Sequence, residues 1–479
     1  MASAYREPMM LIDGEWTRGS GRGADIINPA TEEVLGTVPH ATIADLDRAL
    51  EAAARGFGAW SAMSAERRCD ILVRAARLMR ERAEAMAPIV TMEHGKPVGE
   101  VIAEVARGAG FIEWDANEGR RAYGQLIPGE PGFWRMALRQ PIGPVAAFAP
   151  WNFPISSPAR KLGGALGAGC SIILKASEET PAAAHALVEC LHEAGVPAGA
   201  VNLVFGNPSE ISTHLIASPI IRAITFTGPI SVGKHLGQLC AAAMKPAIME
   251  LGGHSPVIVC DDTEAAEVGR LGAAAKFRNA GQICTAPTRF IVQERVHDRF
   301  VESFVEAARS LKVGNGLESG VQMGPLANDR RLSALQGMIA DAVEKGAKVA
   351  AGGSRIGNRG YFLEPTVLTD VPEDATVMNV EPFGAVAPIV RYGELEEAIT
   401  IANRLPYGLC SFAFTTSQTR AYELANRVES GIMSINHFGT SGPDTPFGGV
   451  KESGYGREGG FETLDGFMHT KFVSHKVLG

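Results

Sequence analysis

Cys284 closes the run Phe277-Arg278-Asn279-Ala280-Gly281-Gln282-Ile283-Cys284, 34 residues after Glu250 of Met249-Glu250-Leu251-Gly252-Gly253. A thiol reacts as its thiolate, so it needs a loop that projects it into a cleft and a nearby group that handles protons. The Gly281-Gln282 turn suits the first requirement. Glu250 suits the second. It ends an apolar run, Ala247-Ile248-Met249, that reads as a buried strand, and a carboxyl in apolar surroundings titrates high enough to serve as a base toward water. A third feature is Pro150-Trp151-Asn152-Phe153-Pro154, a lone amide between aromatic and proline residues. Taken singly, each residue also has an ordinary structural reading. A cysteine is commonly a small buried hydrophobe, a Glu can cap the next helix, and an Asn beside proline forms turns.

The elements that must position these residues follow from composition and periodicity. The chain has 479 residues, 46% hydrophobic and 20% charged, which suits two or three domains with a well-buried core. A formal charge of -8 argues against a nucleic-acid partner and against an anionic membrane surface. The seven cysteines are dispersed, with no paired or zinc-ligand spacing, as in reduced thiols of a cytoplasmic protein with no bound metal. The longest uncharged apolar run, Leu162–Leu174, is 13 residues and too short to span a bilayer. The first residues lack the form of a signal peptide, so a soluble cytoplasmic protein is expected.

Residues 43–120 carry helical periodicity, as in Leu72, Ala75, Ala76 and Met79. From about residue 144, short apolar strands alternate with helices. Val145–Phe148, Ser171–Leu174, Ala200–Phe205 and Ala223–Phe226 read as strands, with helices at Ala182–Ala194 and Val232–Ala243. A second alternating block runs through Ser255–Cys260, Arg289–Gln293, Val349–Ala351, Ala387–Arg391 and Ile432–Ile435. The expected fold is α/β, with two doubly wound domains and a cleft between them for a dinucleotide and a substrate. The only G-x-G-x-x-G, Gly454–Gly459, lacks a strand-to-helix setting and is set aside. Phe226-Thr227-Gly228-Pro229-Ile230-Ser231-Val232-Gly233 suits pyrophosphate better, since a strand leads through a glycine to a helix N-terminus.

The Cys284 and Glu250 motifs, with Trp151-Asn152-Phe153-Pro154, resemble those of the aldehyde dehydrogenase superfamily over essentially the whole chain. The resemblance implies that Cys284 is the nucleophile and Glu250 the base, and that the Asn152 amide and the Cys284 N–H hold the oxyanion. It also implies a cofactor site on Trp151, Lys175, Glu178, Thr227, Gly228, Ser231, Glu381 and Phe383. Lys175 and Glu178 match the ribose segment, and Glu178 favours NAD over NADP, with Ser177 leaving some NADP use. Pro229 stands where the family usually has Ser, which removes one hydroxyl contact to phosphate. Glu381 and Phe383, in Glu381-Pro382-Phe383-Gly384, match the nicotinamide side.

Arg160 and Arg278 align with the paired arginines of the succinate-semialdehyde dehydrogenase branch, which clamp a distal carboxylate; Ser441 could add a hydroxyl. Succinate semialdehyde is therefore the expected substrate, with α-ketoglutarate and glutarate semialdehydes next. A neutral or aromatic aldehyde, a non-catalytic dinucleotide-binding protein and a thioester hydrolase using Cys284 alone are the alternatives. Glu250 argues against a CoA-acylating relative. The absence of a second cysteine in Cys284-Thr285-Ala286 argues against a redox switch of that type. His254 and His437 are expected to be hydrogen-bonded structural residues, although His437 borders the expected tunnel. The expected division is 1–120 and 142–252 for cofactor, 253–455 for catalysis, and 121–141 with 456–479 as a β flap. In the family such segments join subunits, implying a homodimer or homotetramer.

Overall fold

Strand–helix alternation builds two separate sheets in the computed structural model, which describes residues 5–477. Residues 1–4 and 478–479, at the outer ends of the expected terminal segments, lie outside the described residues. The first sheet has eight strands in the order Gly454–Tyr455, Ala247–Leu251, Ala223–Gly228, Val145–Phe148, Ile172–Lys175, Val201–Val204, Met10–Ile12, Glu15–Thr17. Its middle five strands are parallel. Every residue of Val145–Phe148, Ile172–Lys175 and Val201–Val204 is buried, as a sheet covered on both faces requires.

The second sheet has seven strands in the order Lys348–Ala351, Thr366–Thr369, Val386–Tyr392, Arg289–Gln293, Pro256–Val259, Cys410–Phe414, Ile432–Ile435. All are parallel except the edge strand Lys348–Ala351. A third, three-stranded antiparallel sheet joins Gln125–Ile127, Phe133–Pro141 and Met468–Lys476. Among the described residues, no helix is long and apolar enough to cross a membrane.

The helix-rich region resolves into Ile43–Ser61, Ala65–His94 and Val98–Gly119. Thr42 and Asp45 form a capping box at the first, Ser64 caps the second, and Gly95 (φ 89°) ends it in the left-handed region. Val98–Gly119 packs along the helix Ser156–Ala168. Spacing of three and four residues puts Glu104, Arg107 and Phe111 along one side of it.

The C-terminal part departs from the expected division. Gly454–Tyr455 belongs to the first sheet, paired antiparallel with Met249 and Glu250. The approach is so close that a Cβ on Gly454 (φ 117°) would stand 1.8 Å from the Met249 carbonyl oxygen. Beyond it, Leu464 and Phe467 are buried in the core of the first sheet. Among the described residues from 456 on, only Met468–Lys476 joins the flap. The short apolar residues in the preceding stretch are consumed by packing, which the sequence pattern does not reveal.

Candidate active site

The loop carrying Cys284 is held in an unusual backbone path. After the helix Ala265–Phe277 the chain places Asn279, Ala280 and Gly281 in succession at positive φ, 50°, 52° and 73°. For Ala280 this conformation costs roughly 1–2 kcal/mol, so the surroundings must hold it. Gly281 is obligatory, because a Cβ there would meet the Gly384 carbonyl oxygen at 2.2 Å. The close approach ties the Cys284 loop to Glu381-Pro382-Phe383-Gly384.

Buried hydrogen bonds complete the clamp. Gln282 donates to the Asn279 carbonyl at 3.2 Å and accepts from the Ala327 N–H at 2.9 Å. The Asn152 and Asn279 side-chain amides both donate to the Gln282 carbonyl, at 3.1 and 3.2 Å. The second N–H of Asn152 has no partner among the described residues. The Asn152 carbonyl in turn accepts from Lys96 Nζ and Asn279 Nδ2, each at 3.1 Å. Lys96 forms a buried ion pair with Glu104, whose other oxygen accepts the Ile155 and Ser156 N–H groups at 2.9 and 3.1 Å. The Trp-Asn-Phe-Pro turn is thus fixed to the Cys284 loop from both sides.

Cys284 is half-buried and forms part of the wall between two cavities. Burial, followed by the Glu381 and Glu250 carboxyls, pushes its thiol up to about 12, while the Thr285 N–H and Arg160 draw it down. Glu250 lies on Ala247–Leu251, and both of its carboxyl oxygens are buried without a hydrogen-bond partner among the described residues. Burial and the neighbouring Glu458 raise its pKa well above the usual carboxylate range, against the pull of Lys161, Arg160 and Arg457. Lys161 Nζ donates to Thr225 at 3.1 Å, Thr227 at 2.7 Å and Glu458 at 2.9 Å.

One cavity is a long cleft in two parts that share lining residues. Cys284, Glu250, Glu381 and Phe383 line the inner part. Lys175 lines the outer part. Trp151, Thr227, Gly228 and Ser231 line both. Pro229 is the N-cap of the helix Ile230–Ala242 and provides no side-chain cap. The first-turn N–H groups there are left for a ligand, which suits an anion at a helix N-terminus. Lys175 Nζ donates to Glu178 at 2.9 Å, and the other Glu178 oxygen accepts the Gly206 N–H at 3.0 Å. Desolvation pushes Glu381 up to about 8, opposed by the Gly253 N–H, Arg331 and Lys276. Trp151 and Phe383 meet edge-on with ring centres 5.6 Å apart. These residues fit a dinucleotide: a ribose segment, a helix N-terminus and a half-buried carboxyl stand in order along one cleft.

The second cavity meets Cys284 from the other side. Arg160, Arg278 and Ser441 all line it, as do Asn152 and Thr227. The Arg160 guanidinium lies 3.7 Å from the Phe111 ring centre and 4.6 Å from that of Phe447. Its Nη2 donates to Ser441 Oγ at 3.0 Å, while its buried Nη1 has no partner among the described residues. Sequence reasoning missed Arg107, Lys161, Glu458, Lys96 and Glu104. Lys161 adjoins Arg160 and Glu458 lies inside the set-aside glycine motif, but neither carries a local signal. His254 is buried between Thr288 Oγ1 at 2.8 Å and the Val377 carbonyl at 3.0 Å. His437 accepts the Gly439 N–H at 3.0 Å, and neither histidine lines this second cavity.

Comparison with known proteins agrees with this arrangement. The aldehyde dehydrogenase family profile matches residues 16–473. A 4-(hydroxymethyl)benzenesulfonate dehydrogenase of Comamonas testosteroni is 46% identical, over 98% of each chain. The NADP(+) succinate-semialdehyde dehydrogenase of Escherichia coli K12 is 40% identical, over 97% of this chain and 96% of that one. The NAD+ complex of an aldehyde dehydrogenase from Bacillus cereus superposes with a TM-score of 0.96 at 32% identity, covering 99% of this chain and 98% of that one. The chain belongs to the aldehyde dehydrogenase family, enzymes that oxidise aldehydes with NAD or NADP.

Proposed function

We propose that this enzyme oxidises aldehydes carrying a distal anion, with succinate semialdehyde as the simplest representative and NAD as the preferred cofactor. The observation that carries the reading is Arg160 beside Cys284, in a cavity that also takes in Arg278. Held between Phe111 and Phe447, with Ser441 on one nitrogen, its guanidinium is presented edge-on with a donor to spare. A guanidinium edge matches a carboxylate or sulfonate in geometry and charge. The relatives named for succinate semialdehyde and for a benzenesulfonate are consistent with an anion in this position. Glu178, beside Lys175, suits ribose hydroxyls and opposes a 2′-phosphate.

In this mechanism the Cys284 sulfur adds to the aldehyde carbon, and the new oxyanion is met by the free N–H of Asn152 and the Cys284 backbone N–H. That carbon would give up its hydrogen with the electron pair to a nicotinamide held where Trp151, Thr227, Glu381 and Phe383 line the cleft, leaving the acyl group on Cys284 as a thioester. Glu250 then takes a proton from water, whose oxygen attacks the thioester carbon. The C–S bond breaks, the acid leaves, and the thiol regains a proton. Lys161, hydrogen-bonded to Thr225, Thr227 and Glu458, counters the rise of the Glu250 pKa.

Arg160→Ala and Arg278→Ala test the anion site. Each lost charged contact should lower kcat/KM for succinate semialdehyde by about 10–100-fold, with a smaller loss for butanal. Steady-state rates with NAD and NADP in parallel check the cofactor preference. Unaltered selectivity for succinate semialdehyde in both variants would refute the clamp.

We also assign the three-stranded sheet as a subunit contact, because its register leaves Leu126 and Trp134 exposed on one face and Phe133 and Phe472 exposed on the other. The expected species in analytical ultracentrifugation is a dimer or tetramer. A monomer at micromolar concentration would contradict the assignment.

A further inference from the structure

Phe383 lines the inner part of the cleft together with Cys284, and its backbone stands at φ 43°. A bulky residue avoids the left-handed region, because its Cβ crowds the following carbonyl oxygen. Its surroundings must hold it there, and strain of this kind collects where a site depends on a single geometry. The φ and ψ of Phe383 set the tilt of two peptide planes, one carrying the Pro382 carbonyl and the other its own. Arg331 Nη2 donates to both, to the Pro382 oxygen and, at 3.4 Å, to the Phe383 oxygen. One guanidinium thereby restrains both torsions.

Arg331 is itself anchored. It lies in the first turn of the helix Asp329–Glu344, whose N-cap Asn328 accepts the Arg331 N–H at 3.0 Å. The Asn328 amide donates to Glu179 at 2.7 Å, next to Glu178 of the ribose segment. The preceding Ala327 N–H donates to Gln282 of the Cys284 loop. Leu335, four residues on and on the same side of the helix, packs so tightly under Gly384 that a Cβ there would stand 2.2 Å from its Cδ1. One helix start thus ties together the ribose segment, the Cys284 loop and Glu381-Pro382-Phe383-Gly384. The residue type also points to function. Arg331 is half-buried in the wall of the cleft, with its Nε buried and without a partner among the described residues. A cation held in a partly desolvated wall costs free energy that two neutral carbonyls offset poorly, so stability alone would favour an apolar side chain.

Resting on the reading of Glu381 and Phe383 as the nicotinamide end of the cleft, we propose that Arg331 is a positioning residue for hydride transfer. By holding both peptide planes of Phe383 it fixes the ring that meets Trp151 edge-on and, through the same short segment, the carboxyl of Glu381. It takes no part in bond making. A misplacement of about 1 Å costs a reaction on the order of 100-fold in rate, so loosening this segment should act on the hydride step far more than on the adenosine end of the cofactor.

The experiment compares the full-length wild type with Arg331→Met, Arg331→Lys and Glu381→Gln. Calorimetry gives the Kd of NAD and of AMP, which probes the outer part of the cleft alone, and their ratio cancels a general loosening of the fold. Rapid mixing gives the first-turnover rate with succinate semialdehyde and with the same substrate deuterated at the aldehyde carbon. In Arg331→Met the Kd of NAD relative to AMP should rise about tenfold. The first turnover should slow about 10–100-fold, with a deuterium isotope effect at least as large as in the wild type. Arg331→Lys, which keeps one donor and the charge, should recover part of both losses. An unchanged Kd ratio or an unchanged first turnover in Arg331→Met, with Glu381→Gln defective in both, would overturn the role of Arg331 and leave the nicotinamide reading in place. No change in either variant would overturn both.

Discussion

Cys284→Ala should abolish aldehyde oxidation, with a loss of at least about 10⁴-fold in kcat, while isothermal titration still detects dinucleotide binding. Asn152, Thr227 and Cys284 line both cavities, and of these the Cys284 sulfur is the strong nucleophile toward carbon. The remaining six cysteines are buried in the cores. The thiol's own titration supplies a second, independent check. With burial pushing the thiol up to about 12, little of it is thiolate at pH 8. Alkylation by iodoacetamide should therefore be slow without cofactor and rise about tenfold per pH unit between pH 7 and 9. A bound cationic nicotinamide favours the anion and should accelerate the reaction at fixed pH. An alkylation rate that is fast and flat across that range would mean that the sulfur is already ionised, against the burial that surrounds it.

Glu250→Gln is expected to separate the two halves of the reaction. Loss of a general base typically removes about 10²–10⁴-fold of rate, and here that loss should fall on thioester hydrolysis. Hydride transfer needs no base at Glu250 once the sulfur has added, so a burst of about one reduced cofactor per active site should survive. The sign of the pH effect follows from the raised pKa. Burial and Glu458 hold the carboxyl protonated into a range where an ordinary glutamate is ionised. The base form therefore appears only as pH rises through that raised value, and the wild-type hydrolysis rate should climb with it. The Gln variant should lose this limb. Steady turnover without a burst, or an unchanged pH limb in the variant, would move the base elsewhere.

The surroundings explain why these effects should be large and local. Asn152, Gln282, Asn279 and Lys96 share one buried hydrogen-bond network that includes the left-handed turn before Cys284. Buried polar groups that satisfy one another in this way specify a single geometry, and a half-broken network costs more than an apolar replacement. The catalytic loop is thereby held before any ligand arrives, which is the condition for an oxyanion site to work without reorganisation.

Much of the architecture was legible from local pattern. Val145–Phe148, Arg289–Gln293 and Ile432–Ile435 form strands where short apolar runs stand between turn residues. Buried parallel strands are written in contiguous apolar residues, so sequence alone exposes them. The Cys284, Glu250 and Trp151-Asn152 motifs were also legible, because each is a compact run with its own turn chemistry. The motif residues do converge on one cleft. The boundary near 455 was not legible, since the pairing of Gly454 with Met249 depends on a backbone approach that leaves no trace in periodicity.

By itself, the sequence determined the alternation of strands and helices, the α/β class and the family, because these rest on patterns within a few tens of residues. Only the tertiary structure decided how charge is distributed around the reacting sulfur. Lys161 meets Glu458 across 297 residues, and Lys96 meets Asn152 across 56. Arg107 shares a cavity with Arg278 from a helix that looks like any other amphipathic segment. Side-chain electrostatics depend on distance and desolvation in space, and no local window of the chain contains either quantity.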